Sequence, residues 1–209
     1  MLFALICTII SGYFIGCIHG SVIAQKLSGI NLKTQGSGNA GASNATLLLG
    51  WKYGILVAII DIFKALFAVI IARYLFSYYH LSDGDSIILL YVLSAFVIIG
   101  HNFPFHMKFN GGKGTASLIG AFLALYWPLG LLGTVAFVII GLLTNYLIIG
   151  LFAIYLIFIV SAYYLGGWLT CCIALLLFII TCYLHIPNIK NVYHGTEPKV
   201  RNAFKKKVP

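Results

Sequence analysis

The chain has 209 residues, 61% of them hydrophobic and only 8% charged, with a formal net charge of +9. Soluble domains carry about 25% charged residues, so at a mean hydropathy of +1.03 lipid is the solvent for most of this surface, and a water-soluble enzyme is excluded. The apolar stretches are continuous rather than alternating, and in hydrocarbon every backbone polar group has to be bonded internally. The expected fold class is therefore an all-α polytopic membrane protein, a single integral domain over 1–209.

In chain order the apolar text predicts seven transmembrane helices, with five as the lower bound: 2–24, 51–76, 86–104, 114–127, 129–147, 148–165 and 167–185. No basic residue precedes the first, so it lacks a signal peptide's n-region and reads as a retained span. The fourth is short, and the fifth and sixth are nearly fused. With seven spans, Lys26, Lys33, Lys108, Lys113, Lys190, Lys199 and Arg201 share one face, with Lys52 at its edge. The opposite loops hold only Arg73, beside Asp83 and Asp85. Cytoplasmic loops collect Lys and Arg, so the N-terminus is expected outside and the C-terminus in the cytoplasm. A short basic tail over 198–209, with Lys205, Lys206 and Lys207, would face anionic headgroups. Basic residues dispersed among spans do not fit nucleic-acid binding. Cys7, Cys17, Cys171, Cys172 and Cys182 all lie in apolar segments and read as packing residues. Neither a metal constellation nor a cofactor motif is visible.

Three polar segments interrupt this text, all on the predicted cytoplasmic face. The first is Gly36-Ser37-Gly38-Asn39-Ala40-Gly41-Ala42-Ser43-Asn44. Its small residues let the backbone approach a ligand and turn N–H groups outward as an anion nest. It matches G-x-G-x-x-G, but a dinucleotide site needs a βαβ unit, and the flanks here are membrane helices. The second runs from His101-Asn102-Phe103-Pro104 to Phe109-Asn110-Gly111-Gly112-Lys113-Gly114-Thr115. A glycine turn leads into a helix N-terminus, whose free N–H groups favour an anion, and Lys113 adds a point charge suited to phosphate. The third is His185-Ile186-Pro187-Asn188 with Gly195-Thr196-Glu197. His185 and Asn188 share a face if that turn stays helical, and Glu197 could orient His185 or pair with a lysine. Deep in the second span, Asp61 and Lys64 are spaced to form an ion pair. His80-x4-Asp85 imitates an acyltransferase dyad but sits on the opposite face.

In this order the three segments resemble one family, the bacterial acyl-phosphate:glycerol-3-phosphate acyltransferases of the PlsY type. Gly16-x-x-x-Gly20, Asp61-x-x-Lys64 and Gly195-Thr196-Glu197-Pro198 extend the resemblance along nearly the whole chain. It departs from the family pattern at Cys17 and His19, where Ser and Pro are usual, and at Lys33, Leu47 and Leu184, where Arg is usual. The resemblance implies transfer of a fatty acyl group from acyl phosphate to the 1-hydroxyl of sn-glycerol 3-phosphate, giving lysophosphatidic acid and phosphate at the cytoplasmic face of the bacterial inner membrane. An acyl phosphate is already an activated anhydride, so positioning and charge neutralisation carry the chemistry. The catalytic residues it implies are Lys113, His185, Asn188 and Glu197. Ser37, Gly38, Asn39, Asn44, His101, Gly111, Gly112 and Gly114 would bind substrate, without metal or cofactor, and a monomer is compatible with this reading. The competing class is a transporter or a divergent, non-catalytic paralogue that binds phosphate or phospholipid.

Overall fold

The computed structural model describes residues 1–201; of the basic tail, Lys205 to Lys207 lie outside the described residues. All regular structure among the described residues is helical. The order is α1 (Leu2–Gly16), α2 (Gly20–Ser28), α3 (Ala42–Leu49), α4 (Trp51–Tyr78), α5 (Asp83–Asn102), a 3-10 turn at Phe105–Met107, α6 (Thr115–Leu125), α7 (Trp127–Thr144) and α8 (Leu147–Tyr193).

Five segments are long and apolar enough to cross a membrane: Leu2–Ser28, Trp51–Tyr78, Asp83–Met107, Trp127–Thr144 and Leu147–Tyr193. The last has 47 residues, about 70 Å if straight at 1.5 Å per residue, more than twice a hydrocarbon core of about 30 Å. It breaks at Gly167, whose φ of 78° and ψ of −156° are non-helical. The two arms fold back on each other: Tyr155 Oη meets Thr181 Oγ1 at 2.6 Å, and the rings of Phe152 and Phe178 lie 5.9 Å apart. The spans expected at 148–165 and 167–185 are thus the arms 147–166 and 168–193. The span expected at 114–127 needs correction. It forms α6, only 11 residues long, about 16 Å, which is half a crossing. The cause is local. In a continuous helix Pro128 would lack an N–H and its ring would strike the Ala124 carbonyl, so the chain breaks at Tyr126 (φ −157°) and restarts with Pro128 in the first turn of α7.

The other helix ends are equally readable. The Ser82 hydroxyl accepts from Asp85 N–H at the start of α5, where Asp83 and Asp85 complement the helix dipole. The same helix stops just before Pro104. Helices α1 and α5 touch through bare backbone at Gly16 and Gly100: a Cβ on Gly16 would overlap the Val97 carbonyl, and one on Gly100 that of Tyr13. Small residues at such crossings are the usual device where lipid offers no hydrophobic drive. The core between α4, α5, α6 and α8 is aromatic, with Phe122 and Phe158 ring centroids 5.1 Å apart and Tyr91 5.6 Å from Phe158.

This alternation of direction leaves the loops 29–41 and 103–114, the α7–α8 turn and the end of α8 at one pole. The opposite pole carries the α4–α5 loop, the α6–α7 break and Gly167. There a cavity of about 720 Å³ is lined by Arg73, His80, Asp83, Tyr126 and Leu165, among others. His80 and Asp85 therefore lie at the far end of the molecule from all three polar segments.

Candidate active site

Each polar segment is held by its own set of hydrogen bonds. In the first, Asn44 opens α3 and is buried. Its Nδ2 donates to the carbonyls of Leu32 (2.9 Å), Asn39 (3.0 Å) and Gln35 (3.2 Å), while its Oδ1 accepts from Ser37 N–H (3.0 Å). The sequence assigned Asn44 to substrate; the structure gives it the folding of the loop. It holds Gly36 and Gly38 at positive φ, 61° and 66°, and leaves Ser37 exposed and Gly38 and Asn39 half-buried. Asn44 is thus bonded within the loop, whose outward groups are Ser37, Gly38 and Asn39.

In the second segment the loop after α5 doubles back on the helix end. Gly111 N–H donates to the Asn102 carbonyl at 3.0 Å and Gly112 N–H to the His101 carbonyl at 3.1 Å. A Cβ on Gly111 would overlap that same His101 carbonyl, and one on Gly112 would overlap His101 Nε2, so both positions require glycine. Gly114 takes φ 80° as the residue before α6. Free N–H groups at the start of α6 thus sit beside Lys113. Half-burial pushes the Lys113 ammonium below its ordinary range, and Lys33 lowers it further while Glu197 pulls it back up. Asn102 is also buried, its side chain against Gly114 and without a hydrogen-bond partner among the described residues. Asn102 is not among the site residues the sequence points to, although it stands next to His101 at the end of α5.

In the third segment α8 stays helical through Pro187 to Tyr193, so His185 and Asn188 do share a face. Thr181 orients His185: its carbonyl lies 2.9 Å from Nδ1. A carbonyl can only accept, so in the neutral ring the proton sits on Nδ1 and Nε2 is bare. Glu197 does not reach His185 as one of the two expected alternatives had it. Its Oε1 accepts from Asn188 Nδ2 at 2.6 Å, because the turn after α8 folds Thr196 and Glu197 back onto the Asn191 carbonyl at 2.8 and 3.1 Å.

Two lysines join the segments. Lys33 Nζ donates to Asn110 Oδ1 at 2.8 Å and to the Gly111 carbonyl at 3.3 Å, closing the first loop on the second. Lys113 Nζ donates to Asn188 Oδ1, closing the second on the third. Burial lowers the Lys33 ammonium as well. Lys33 belongs to the site although the sequence reading did not place it there. Beside it a groove of about 630 Å³ carries Lys26, Lys108 and Asn31. The α7–α8 turn joins the same pole, where Asn145 Oδ1 accepts from Arg201 N–H at 2.9 Å.

Beneath the second loop, Asp61 and Lys64 form the expected ion pair at 3.2 Å, with His101 and His19 around it. Donor atoms of His19, Asp61 and His101 lie within 4.8 Å of one another, a set suited by type to a transition metal. Lys64 Nζ, however, already contacts Asp61 Oδ1 and, at 2.9 Å, His101 Nδ1. The chain's own cation is in place.

Fold and site together define a polytopic membrane protein with two phosphate-type glycine loops and a polar helix end gathered at one pole. The family model for glycerol-3-phosphate acyltransferase matches residues 6–195. Glycerol-3-phosphate acyltransferase 1 of Oceanobacillus iheyensis is 43% identical, covering 94% of this chain and 95% of its own. Glycerol-3-phosphate acyltransferase 2 of Thermotoga maritima is 38% identical, covering 94% and 96%. Among solved structures, the glycerol 3-phosphate form of PlsY, an integral membrane glycerol 3-phosphate acyltransferase, superposes with a TM-score of 0.78 at 29% identity, covering 93% of this chain and 94% of the other. Its lysophosphatidic acid form gives 0.76. The chain belongs to the glycerol-3-phosphate acyltransferase family.

Proposed function

We propose that this protein transfers an acyl group from acyl phosphate to the 1-hydroxyl of glycerol 3-phosphate at the cytoplasmic face of the bacterial inner membrane, as the first step of phospholipid synthesis. One observation carries the reading: Lys33 and Lys113 draw all three polar segments into a single site at one membrane pole. A water-soluble phosphate ester meets a lipid-held acyl donor at such a place. That the solved PlsY structures are a glycerol 3-phosphate form and a lysophosphatidic acid form supports the choice of acceptor and product.

The chemistry follows from the donor set. The substrate hydroxyl attacks the acyl carbonyl, the bond from carbonyl carbon to bridging oxygen breaks, phosphate leaves with that electron pair, and the hydroxyl proton ends on the departing phosphate. Lys113 and the amides at the start of α6 neutralise the leaving phosphate. Ser37, Gly38 and Asn39 hold polar groups from the opposite side. His185, with bare Nε2, accepts a hydrogen bond from the attacking hydroxyl, and Asn188, fixed between Lys113 and Glu197, orients it. A transporter would need a polar path through the bilayer, whereas the deep pair Asp61 and Lys64 is committed to internal partners. The test is formation of lysophosphatidic acid by purified protein given glycerol 3-phosphate and either acyl phosphate or, as the control donor, acyl-CoA. Product from acyl phosphate alone, with matching phosphate release, both lost in Lys113→Ala, is expected; a well-folded wild type that forms none overturns the reading.

A further inference from the structure

The first membrane segment is broken between α1 and α2 at Cys17–His19, and the break lies against the middle of α4 rather than in a loop. Lys64 Nζ donates to the Gly16 carbonyl at 2.9 Å and to the Ile18 carbonyl, the freed acceptors at the end of α1. Asp61 Oδ1 accepts from Gly20 N–H at 3.2 Å, a freed donor at the start of α2. The pair thus bonds both sides of the break. Lys64 has a further contact, with His101 Nδ1 at 2.9 Å. An ammonium only donates, so a Lys64 N–H directed at Nδ1 leaves that nitrogen bare and puts the ring proton of His101 on Nε2, in competition with Asp61 Oδ1, 3.6 Å from the same nitrogen, which favours the other tautomer. Nε2 is the atom a Cβ on Gly112 would overlap, so it lies directly under the glycine loop. His19, stacked on His101 at 4.4 Å and 18°, fixes the ring plane. Neither ring nitrogen of His19 has a hydrogen-bond partner among the described residues.

We propose that Lys64 is a positioning residue for acyl transfer: it sets the tautomer of His101 and so presents an Nε2–H to the Gly111–Gly114 loop, as a donor to the phosphate bound there. Asp61 supplies the charge that keeps Lys64 in this place. The inference rests on the acyl-transfer reading for its activity assay, and on nitrogen chemical shifts of the His101 ring for a readout independent of it.

The informative comparison is between Lys64→Met and the double variant Asp61→Asn with Lys64→Met. The single change strands a buried carboxylate and lowers thermal stability; the double change removes both charges and recovers it, since replacing an intact buried pair is often neutral. A purely structural role predicts that activity returns with stability. Positioning predicts that kcat stays at least tenfold below wild type in the stable double variant, with wild-type KM for glycerol 3-phosphate. In ¹⁵N-histidine spectra, wild-type His101 is expected as the Nε2–H tautomer and the double variant as a mixture. Recovery of wild-type kcat by the double variant, or an Nδ1–H ring in the wild type, overturns the proposal. An inactive wild type with the Nε2–H tautomer overturns the acyl-transfer reading and leaves the tautomer assignment standing.

Discussion

Lys113 is the residue on which the site turns, because it serves two neighbours at once: the loop that would hold phosphate, and Asn188 on α8. Replacement by alanine removes the charge beside the bound phosphate and also releases Asn188. Losing one preorganised donor costs about 10²–10³ in kcat, and an effect at the upper end is expected in phosphate-release kinetics. Lysine 113 also predicts a pH dependence. Its folded pKa is below the ordinary lysine value, chiefly from burial. A lysine that must be protonated to hold phosphate therefore loses activity as pH rises through that lowered value, earlier than a free lysine would. Between the lowered value and the ordinary one the unfolded chain binds more protons, so stability moves the opposite way and rises with pH. Activity should thus decline in kcat/KM for acyl phosphate while thermal stability does not. Lys113→Arg should shift that alkaline limb upward, since arginine stays charged. An unshifted limb in the arginine variant would assign the titration to another group. The placement of Lys113 at a glycine turn before a helix was legible in the sequence because glycine, lysine and helix start stand next to one another; its bond to Asn188 was not. Nor was the partnership of Glu197 with Asn188, because they lie nine positions apart, across the end of α8 and the turn that follows, and only the folded turn decides which side chain the carboxylate meets.

At the scale of elements, the sequence announced its breaks through proline and glycine. Pro104 stands just past the end of α5, Pro128 in the first turn of α7, and the Gly166-Gly167 pair at the division of the last two spans. What it could not announce was the length of α6, since the apolar text runs on through Tyr126 and only the backbone shows the helix stopping at Leu125. Nor could it show Lys64 reaching His101, 37 positions away. Gly167 gives an element-scale prediction. Its dihedral angles lie where only glycine is comfortable, and a Cβ there would meet nothing within 4 Å. Any penalty of substitution is therefore backbone strain alone, about 1–3 kcal/mol. Gly167→Ala should lower the thermal midpoint of the detergent-solubilised protein. Because the kink lies at the pole opposite the site, kcat per folded molecule should stay at the wild-type level. Gly112→Ala makes the converse case: its Cβ would strike the His101 ring, so kcat should fall even where the fold survives.

Across the whole molecule, charge and chemistry coincide. The pole that holds the three segments also carries Lys26, Lys33, Lys108, Lys113, Lys190 and Lys199, while the far pole offers Arg73 against Asp83 and Asp85. Arg73 is further committed, its guanidinium donating to the Ala124 and Leu125 carbonyls at 2.9 and 2.7 Å where α6 ends. Positive charge resists translocation, so the lysine-rich pole should stay in the cytoplasm. Two consequences follow in cells. A fluorescent protein that folds only in the cytoplasm should light up when fused after Pro209 and stay dark when fused before Met1. A periplasm-dependent phosphatase should give the mirror result. The α4–α5 loop should behave like the N-terminus, so a cysteine placed at Gly84, which is exposed and has open space around its Cβ position, should react with an impermeant maleimide from outside. One at Lys108 should react only after the membrane is opened. The reverse pattern would put the phosphate-type loops outside the cell, away from cytoplasmic phosphate esters, and would separate the charge asymmetry from the chemistry it accompanies here.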